Sequence, residues 1–399
     1  MRTTGKRTVF KLASVFLVAV AALVAGAREA AAYPQFQFSS GTSRCAQCHF
    51  SPSGGGLINS WGRDESADTI SLGGDGGFLH GAVTLPSWLA LGGDLRLVAL
   101  RNDVGGPASP EVAFFPMQGD IYARAAIGEA FSVNVTLGDR GVVRPHDPSV
   151  AGRFSDVADR FVSREHYLMW RPSASGPYVR AGRFQAPYGI KFVEHPYWVR
   201  RYTGFNLYEE TYNLSGGFLA EDWEFHATAF TPPPSTFPDP LRSVGQPESG
   251  AAVFGEKRFN AMAAVGGQAR VGIGKDEARY QGGVVGKVWI DAAKILVLGE
   301  ADLVRQQLKA ANYAQNQMVS YLGATVFPIK GVMAGVAFER FQENLSVSRT
   351  GRNAVDGQIN FFAWAHVELV LLGRYQWTGA GSADGSPATV GMLQLHYYL

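Results

Sequence analysis

The 399-residue chain has two cysteines, 18% charged residues and, beyond residue 35, no apolar run of eighteen or more. The missing run excludes helical membrane spans, which need about 20 consecutive apolar residues. There is no G-x-S-x-G, H-E-x-x-H or P-loop pattern, and the histidines show no metal-ligand spacing, so no catalytic constellation stands out. Charge of either sign is nearly balanced, with 36 Lys and Arg against 34 Asp and Glu. At 46% hydrophobic the chain is nonetheless far too apolar to be disordered, and its 48 glycines follow no collagen period. What remains open is a large β structure.

The first residues read as a targeting segment. Arg2, Lys6, Arg7 and Lys11 precede the apolar stretch from Leu12 to Ala25, and Ala30-Ala31-Ala32 supplies small residues for cleavage before Tyr33. That is the layout of a secretory signal, assigned to residues 1–32. Its removal takes away Arg2, Lys6, Arg7, Lys11, Arg28 and Glu29, a sum of +4, so the chain passes from +2 to −2. No basic excess is left for a nucleic-acid partner.

Both cysteines fall within Cys45-Ala46-Gln47-Cys48, and His49 follows directly. The spacing C-x-x-C-H is that of c-type haem attachment: two thiols on one helical turn reach the two vinyl groups, and the next imidazole serves as proximal iron ligand. The expectation is one haem c, bound covalently by Cys45 and Cys48 with His49 on the iron. A disulfide or redox dithiol is the alternative, although that motif normally follows a strand of a βαβ unit. A zinc site would want a second pair of ligands. His80, in GGFLHGAV, is the nearest downstream imidazole and the candidate for the distal position. The stretch Cys45 to Arg63, CAQCHFSPSGGGLINSWGR, resembles a segment of single-haem modules attached to bacterial outer-membrane proteins. The haem attachment segment is accordingly assigned to residues 33–85.

From Trp88 onward the period is two, the strand signature. Phe131, Val133, Val135 and Leu137 alternate with Ser132, Asn134, Thr136 and Gly138, and Trp223, Phe225, Ala227 and Ala229 with Glu224, His226 and Thr228. Sixteen such segments start near residues 88, 117, 130, 164, 178, 213, 223, 250, 259, 279, 294, 316, 330, 356, 367 and 388. Long and short connections alternate between them, which puts the two kinds at opposite ends, as in bacterial outer-membrane barrels. Trp88, Trp170, Trp223, Trp289 and Trp364 lie beside the short turns, where a membrane girdle would put them. The fold class is therefore all-β, a transmembrane antiparallel barrel of about sixteen strands over residues 86–399, preceded by the small haem segment.

Two further stretches carry resemblances. Leu393, Leu395, Tyr397 and Leu399 share one face of the last segment, which resembles the C-terminal targeting strand of outer-membrane barrels, although that family usually ends in Phe. Within Val179 to His195, GRF-x-x-PYG resembles a segment of the phosphate-selective porin group. The connection that follows is long enough to fold inward. Arg200 and Arg201, with Arg96, Arg124 and Arg183 expected in the lumen, would favour anions there, unless lumenal carboxylates balance them.

The leading functional expectation is an outer-membrane barrel with one haem, in electron transfer at the periplasmic face or in a haem-associated channel. Its partners would be membrane lipid and periplasmic or cell-surface redox proteins. The alternative is a passive porin for small anions with the haem segment as plug or docking site. One haem cannot by itself conduct across a hydrocarbon layer of roughly 25 to 30 Å. No enzyme is expected: a peroxidase would need an open iron position and a distal acid or base, and the sequence identifies neither.

Overall fold

The computed structural model describes residues 34–39, 41–103, 110–139, 161–194, 196–206, 209–233, 247–260, 262–378 and 387–399. The targeting segment assigned to residues 1–32 lies outside them. Sixteen strands form one closed antiparallel barrel in which each strand pairs with its sequence neighbours and the last returns to the first. They are β1 (Leu89–Asp103), β2 (Glu111–Ile127), β3 (Phe131–Asp139), β4 (Phe161–Trp170), β5 (Gly176–Phe184), β6 (Thr211–Leu219), β7 (Trp223–Thr231) and β8 (Ser249–Phe259). The second half comprises β9 (Ala263–Ile273), β10 (Glu277–Ile290), β11 (Ile295–Leu308), β12 (Tyr313–Ile329), β13 (Val332–Gln342), β14 (Gly351–Trp364), β15 (Val367–Thr378) and β16 (Ala388–Tyr398). Closure is made by β1 against β16, from Asp94 opposite Tyr398 to Asp103 opposite Thr389. A closed ladder leaves no sheet edge with unpaired backbone groups.

The alternation decides which face is which. In β3, Phe131, Val133 and Leu137 are exposed on the outside, while Ser132, Asn134 and Thr136 are buried within. Every observed strand starts within a few residues of the expected place except β2, which begins at Glu111 and runs straight through Pro116. Pro116 sits where the β1–β2 register shifts between Arg96 and Leu97, and a proline's missing N–H is tolerated at such an irregularity. Of the rim tryptophans, Trp88, Trp223 and Trp364 are exposed at the short-turn end, but Trp289 is buried inside against Phe327. Its position next to a turn did not determine its side; its parity with the inward Lys287 and Val285 did.

The interior is filled from two directions. The connection 185–210, between β5 and β6, turns into the barrel. Its short helix α1 (Trp198–Arg201) and the neighbouring Phe192 and Tyr197 pack on inward-facing Leu298, Val319, Tyr321, Ala337 and Phe341. Polar anchors complete its seat: Ile190 N–H donates to Glu300 at 2.7 Å, Tyr188 Oη to Asp302 at 2.8 Å, and Trp198 N–H to Glu339.

Residues 34–80 enter from the short-turn end. Phe36 is buried between Phe327 and Phe362, with both ring centroids 5.5 Å away. Polar links then go to strands all round the barrel. Inward-facing Lys287 donates to Gln37 at 2.7 Å, and Arg180 to Ser51 and Ser53 at 3.2 and 3.1 Å. Ser66 meets Tyr398 at 3.0 Å, and Leu72 N–H donates to Phe362 O at 3.0 Å. Gly331, in the β12–β13 turn at φ 82°, is where a Cβ would come within 2.8 Å of the Leu72 side chain. A glycine there allows both the left-handed turn and the close approach.

Candidate functional site

The cysteine motif forms a single helical turn, α2 (Cys45–Cys48), on this N-terminal segment. Gln47 Oε1 caps it, accepting the N–H groups of Ser43 and Arg44 at 2.9 and 3.0 Å, and His49 N–H closes on Cys45 O at 3.0 Å. A second helix, α3 (Ser60–Glu65), lies across it. Asn59 links the two by donating to Gln47 O at 2.8 Å and accepting Gly62 N–H at 3.0 Å. Position 62 admits no side chain: a Cβ there would stand 2.5 Å from Cys48 O.

Gly54, Gly55 and Gly56 all have positive φ. A Cβ on Gly54 would stand 2.9 Å from Cys45 Cβ, so the loop closes against the motif only because it carries none. Both cysteines are free thiols, and burial pushes Cys45 up to about 11 and Cys48 to about 12. Such thiols are protonated at neutral pH, which is the opposite of the lowered values that mark a redox dithiol. No group of three or more His, Cys, Asp or Glu side chains suited to a metal ion is gathered among the described residues.

Cys45, Cys48, His49 and the glycine loop together border one lumenal cavity of about 240 Å³. Its other walls are the in-turned connection, with Tyr188, Lys191 and Arg200, and inward strand residues including Arg96, Arg164, Lys287 and Glu300. Two thiols on one turn and an adjacent imidazole, all bordering the cavity, form a donor set that fits a covalently held haem. Lys191, on the connection, reaches the motif's loop directly, donating to Gly54 O at 2.9 Å. Burial pulls its ammonium below the ordinary lysine range.

The structure does not bring His80 to this cavity. Its ring packs on His366 at 5.3 Å and Tyr397 at 5.9 Å, at the short-turn end, and Tyr397 Oη meets His80 Nε2 at 3.2 Å. Sequence proximity suggested it; the segment's path past the β14–β15 turn takes it elsewhere. Arg183 is a second correction. It pairs across the sheet with His166 and Tyr212, two residues before the exposed Leu168 and Leu214, so all three side chains face outward. Arg180 is the inward arginine of β5, and the alternation of Tyr178 and Arg180 with Val179 and Ala181 carries that signal.

Arg200 lies inside but spends its guanidinium on its own connection, donating to Phe192 O at 2.8 Å and Phe205 O at 3.1 Å. Burial lowers it to about 10. Arg201 is exposed beside the Tyr202 ring. Arg96 and Arg124 do face inward, the first paired with Asp94 at 3.0 Å and the second over the Phe50 ring. Arg164, not singled out from the sequence, bridges Asp120 and Glu210. Arg96, Arg164 and Lys287 are thus matched by carboxylates, whereas Arg124, Arg180, Lys191 and Arg200 spend their charge on a ring, hydroxyls or backbone carbonyls.

Solved structures share the fold. OprB of Pseudomonas putida is 12% identical, with a TM-score of 0.59 over 78% of this chain and 94% of that one. The anion-selective porin from Comamonas acidovorans is 10% identical, with 0.57 over 78% and 99%. OmpF of Salmonella typhi, in complex with daunomycin, is 10% identical, with 0.56 over 78% and 97%. No protein-family model and no curated protein matches the chain.

Proposed function

We propose that this chain is an outer-membrane channel barrel whose lumen is narrowed by the connection 185–210 and plugged at its periplasmic, short-turn mouth by residues 34–80. The observation that carries this reading is the closed sixteen-strand barrel with a connection folded inward, a fold shared with porins, among them the anion-selective porin of Comamonas acidovorans. An outward apolar face with tryptophans at one rim suits a lipid setting. Small solutes are the cargo class. The test is planar-bilayer conductance of the full chain against a variant lacking residues 34–84. A large rise on removing the segment supports a plugged channel, and equal conductance sinks the plug.

A second reading concerns what the plug carries. Cys45, Cys48 and His49 border the same cavity, which supports one covalent haem c held by two thioethers with His49 on the iron. When bound, the haem would supply one-electron redox chemistry. The chain's own residues do the rest. Gln47 and Asn59 hold the cysteine turn, Gly54 and Gly62 permit the close packing around it, and Phe36 fixes it inside the barrel. Electron exchange would then take place from the periplasmic side, with a redox protein as partner. Haem staining after denaturing electrophoresis tests this: the band must be present in the parent chain and lost in Cys48→Ala.

A further inference from the structure

If haem occupies this cavity, its iron has one axial position with no donor assigned, since His80 lies elsewhere. We infer that Lys191 fills it, an inference that rests on the haem reading above. Among the described residues no methionine borders the cavity, and its nitrogen donors besides His49 are His396, Lys287 and Lys191. His396 is committed, its two ring nitrogens facing Glu368 at 2.7 Å and Asp94 at 3.2 Å. Lys287 is an ion-paired ammonium, 2.7 Å from Glu256 and donating to Gln37 at 2.7 Å, and an ammonium has no lone pair to offer. Lys191 alone of the three forms no ion pair among the described residues: its hydrogen bond goes to a neutral acceptor, Gly54 O at 2.9 Å, and the Glu165 carboxylate acts on it from farther off. As a neutral amine it would keep an N–H for that carbonyl and have its lone pair for iron. Lysine makes this change readily when it is taken out of water.

The lysine is also presented rigidly. It sits between Ile190, tied by its N–H to Glu300, and the fully buried Phe192, so its backbone is fixed at the cavity wall while its four-carbon stem reaches in. A Cβ on Gly55 would stand 3.0 Å from both Cε and Nζ of Lys191, and one on Gly54 would press on Cys45. Adjacent glycines thus bring the amine and a haem-attaching cysteine against the same loop. The haem would then be held from both lumen fillers, His49 on the plug and Lys191 on the constriction.

The experiment uses the full chain purified in detergent, with Lys191→Ala and Lys191→Arg beside the parent. Folding of each is checked by heat-modifiable migration and haem attachment by the stained band. The expected result is a six-coordinate, low-spin ferric spectrum in the parent and loss of the low-spin signature in both variants, with the stained band kept. Carbon monoxide or added imidazole should bind the variants readily and the parent poorly. Arginine can hold the Gly54 carbonyl but cannot ligate iron, so a low-spin spectrum retained in Lys191→Arg reduces the residue to a structural contact and overturns the inference. A parent that is already high-spin, or an Ala variant that stays low-spin, overturns it as well. Absence of a stained band in the parent overturns the haem reading itself.

Discussion

The two segments that fill the lumen are held in different ways. The connection 185–210 is seated by burial: Phe192, Tyr197, Trp198 and Val199 cover an apolar inner wall of the second half of the barrel, and three carboxylates fix its backbone and Tyr188. The N-terminal segment has fewer apolar anchors, Phe36 and Ile70 against Met333 and Phe362 and Phe38 in the connection's own cluster, and beside them a ring of polar links to separate strands. A buried aromatic cluster behaves as a permanent part of a core, whereas a net hydrogen bond is worth only about 0.5–1.5 kcal/mol. The comparison teaches that the constriction is bound mainly by apolar burial, and the plug, an inserted piece, by fewer apolar anchors and more polar links.

The largest expected effect separates the two outright. Removing residues 34–84 should leave a folded barrel, seen as heat-modifiable migration, with conductance raised several-fold by the geometry of an opened mouth. A barrel that no longer folds would erase the distinction between core and insert. Next comes Trp198→Ala. Loss of a large buried ring costs about 3–5 kcal/mol, so the midpoint of urea unfolding in detergent should fall clearly. An unchanged midpoint would mean that the connection is not core.

Arg180→Ala should act the other way round. It removes two links to Ser51 and Ser53, and the expected cost is about 1–3 kcal/mol, felt as faster proteolysis of the N-terminal segment with the barrel's own midpoint nearly constant. The smallest effect is a pH dependence of the plug's outer strap. His366, in the β14–β15 turn, is pushed down to about 4, chiefly by burial, while its Nε2 meets Gly76 O at 3.0 Å. Released, the imidazole would titrate near 6.5. Between these values the undocked state takes up a proton that the docked one refuses, so docking weakens as pH falls from about 6.5 towards 4 and is constant above that window. Hydrogen exchange of residues 71–77 should quicken over that range, and His366→Asn should flatten the dependence.

How far the sequence could be read depended on what each side chain faces. The outward parity of β3, β7 and β13 was legible because lipid imposes one rule on every outward position, and the charged or hydroxylated residues between them mark the inside. In β11 the same reading is harder. Leu296 and Leu298 point inward beneath the connection, so Ile295 to Leu298 is a continuous apolar run in which the period vanishes. The inward side follows no common rule, since it matches whatever packs on it. Arg183 was misplaced for a related reason. Its strand carries arginines on both faces, and the alternation that places Arg180 inward, together with the register against His166 and Tyr212, tells them apart.

The chain's own order of residues was enough for the strand count and for most of the alternation of short and long connections. These are local properties, set by period, turn residues and spacing within a few positions. Only the tertiary structure decided that the cysteine turn lies within the barrel, that Lys191 meets the glycine loop beside it across 137 residues of chain, and that His80 lies elsewhere. Contacts of that range come from closing the barrel around its fillers, a packing outcome that no local pattern encodes.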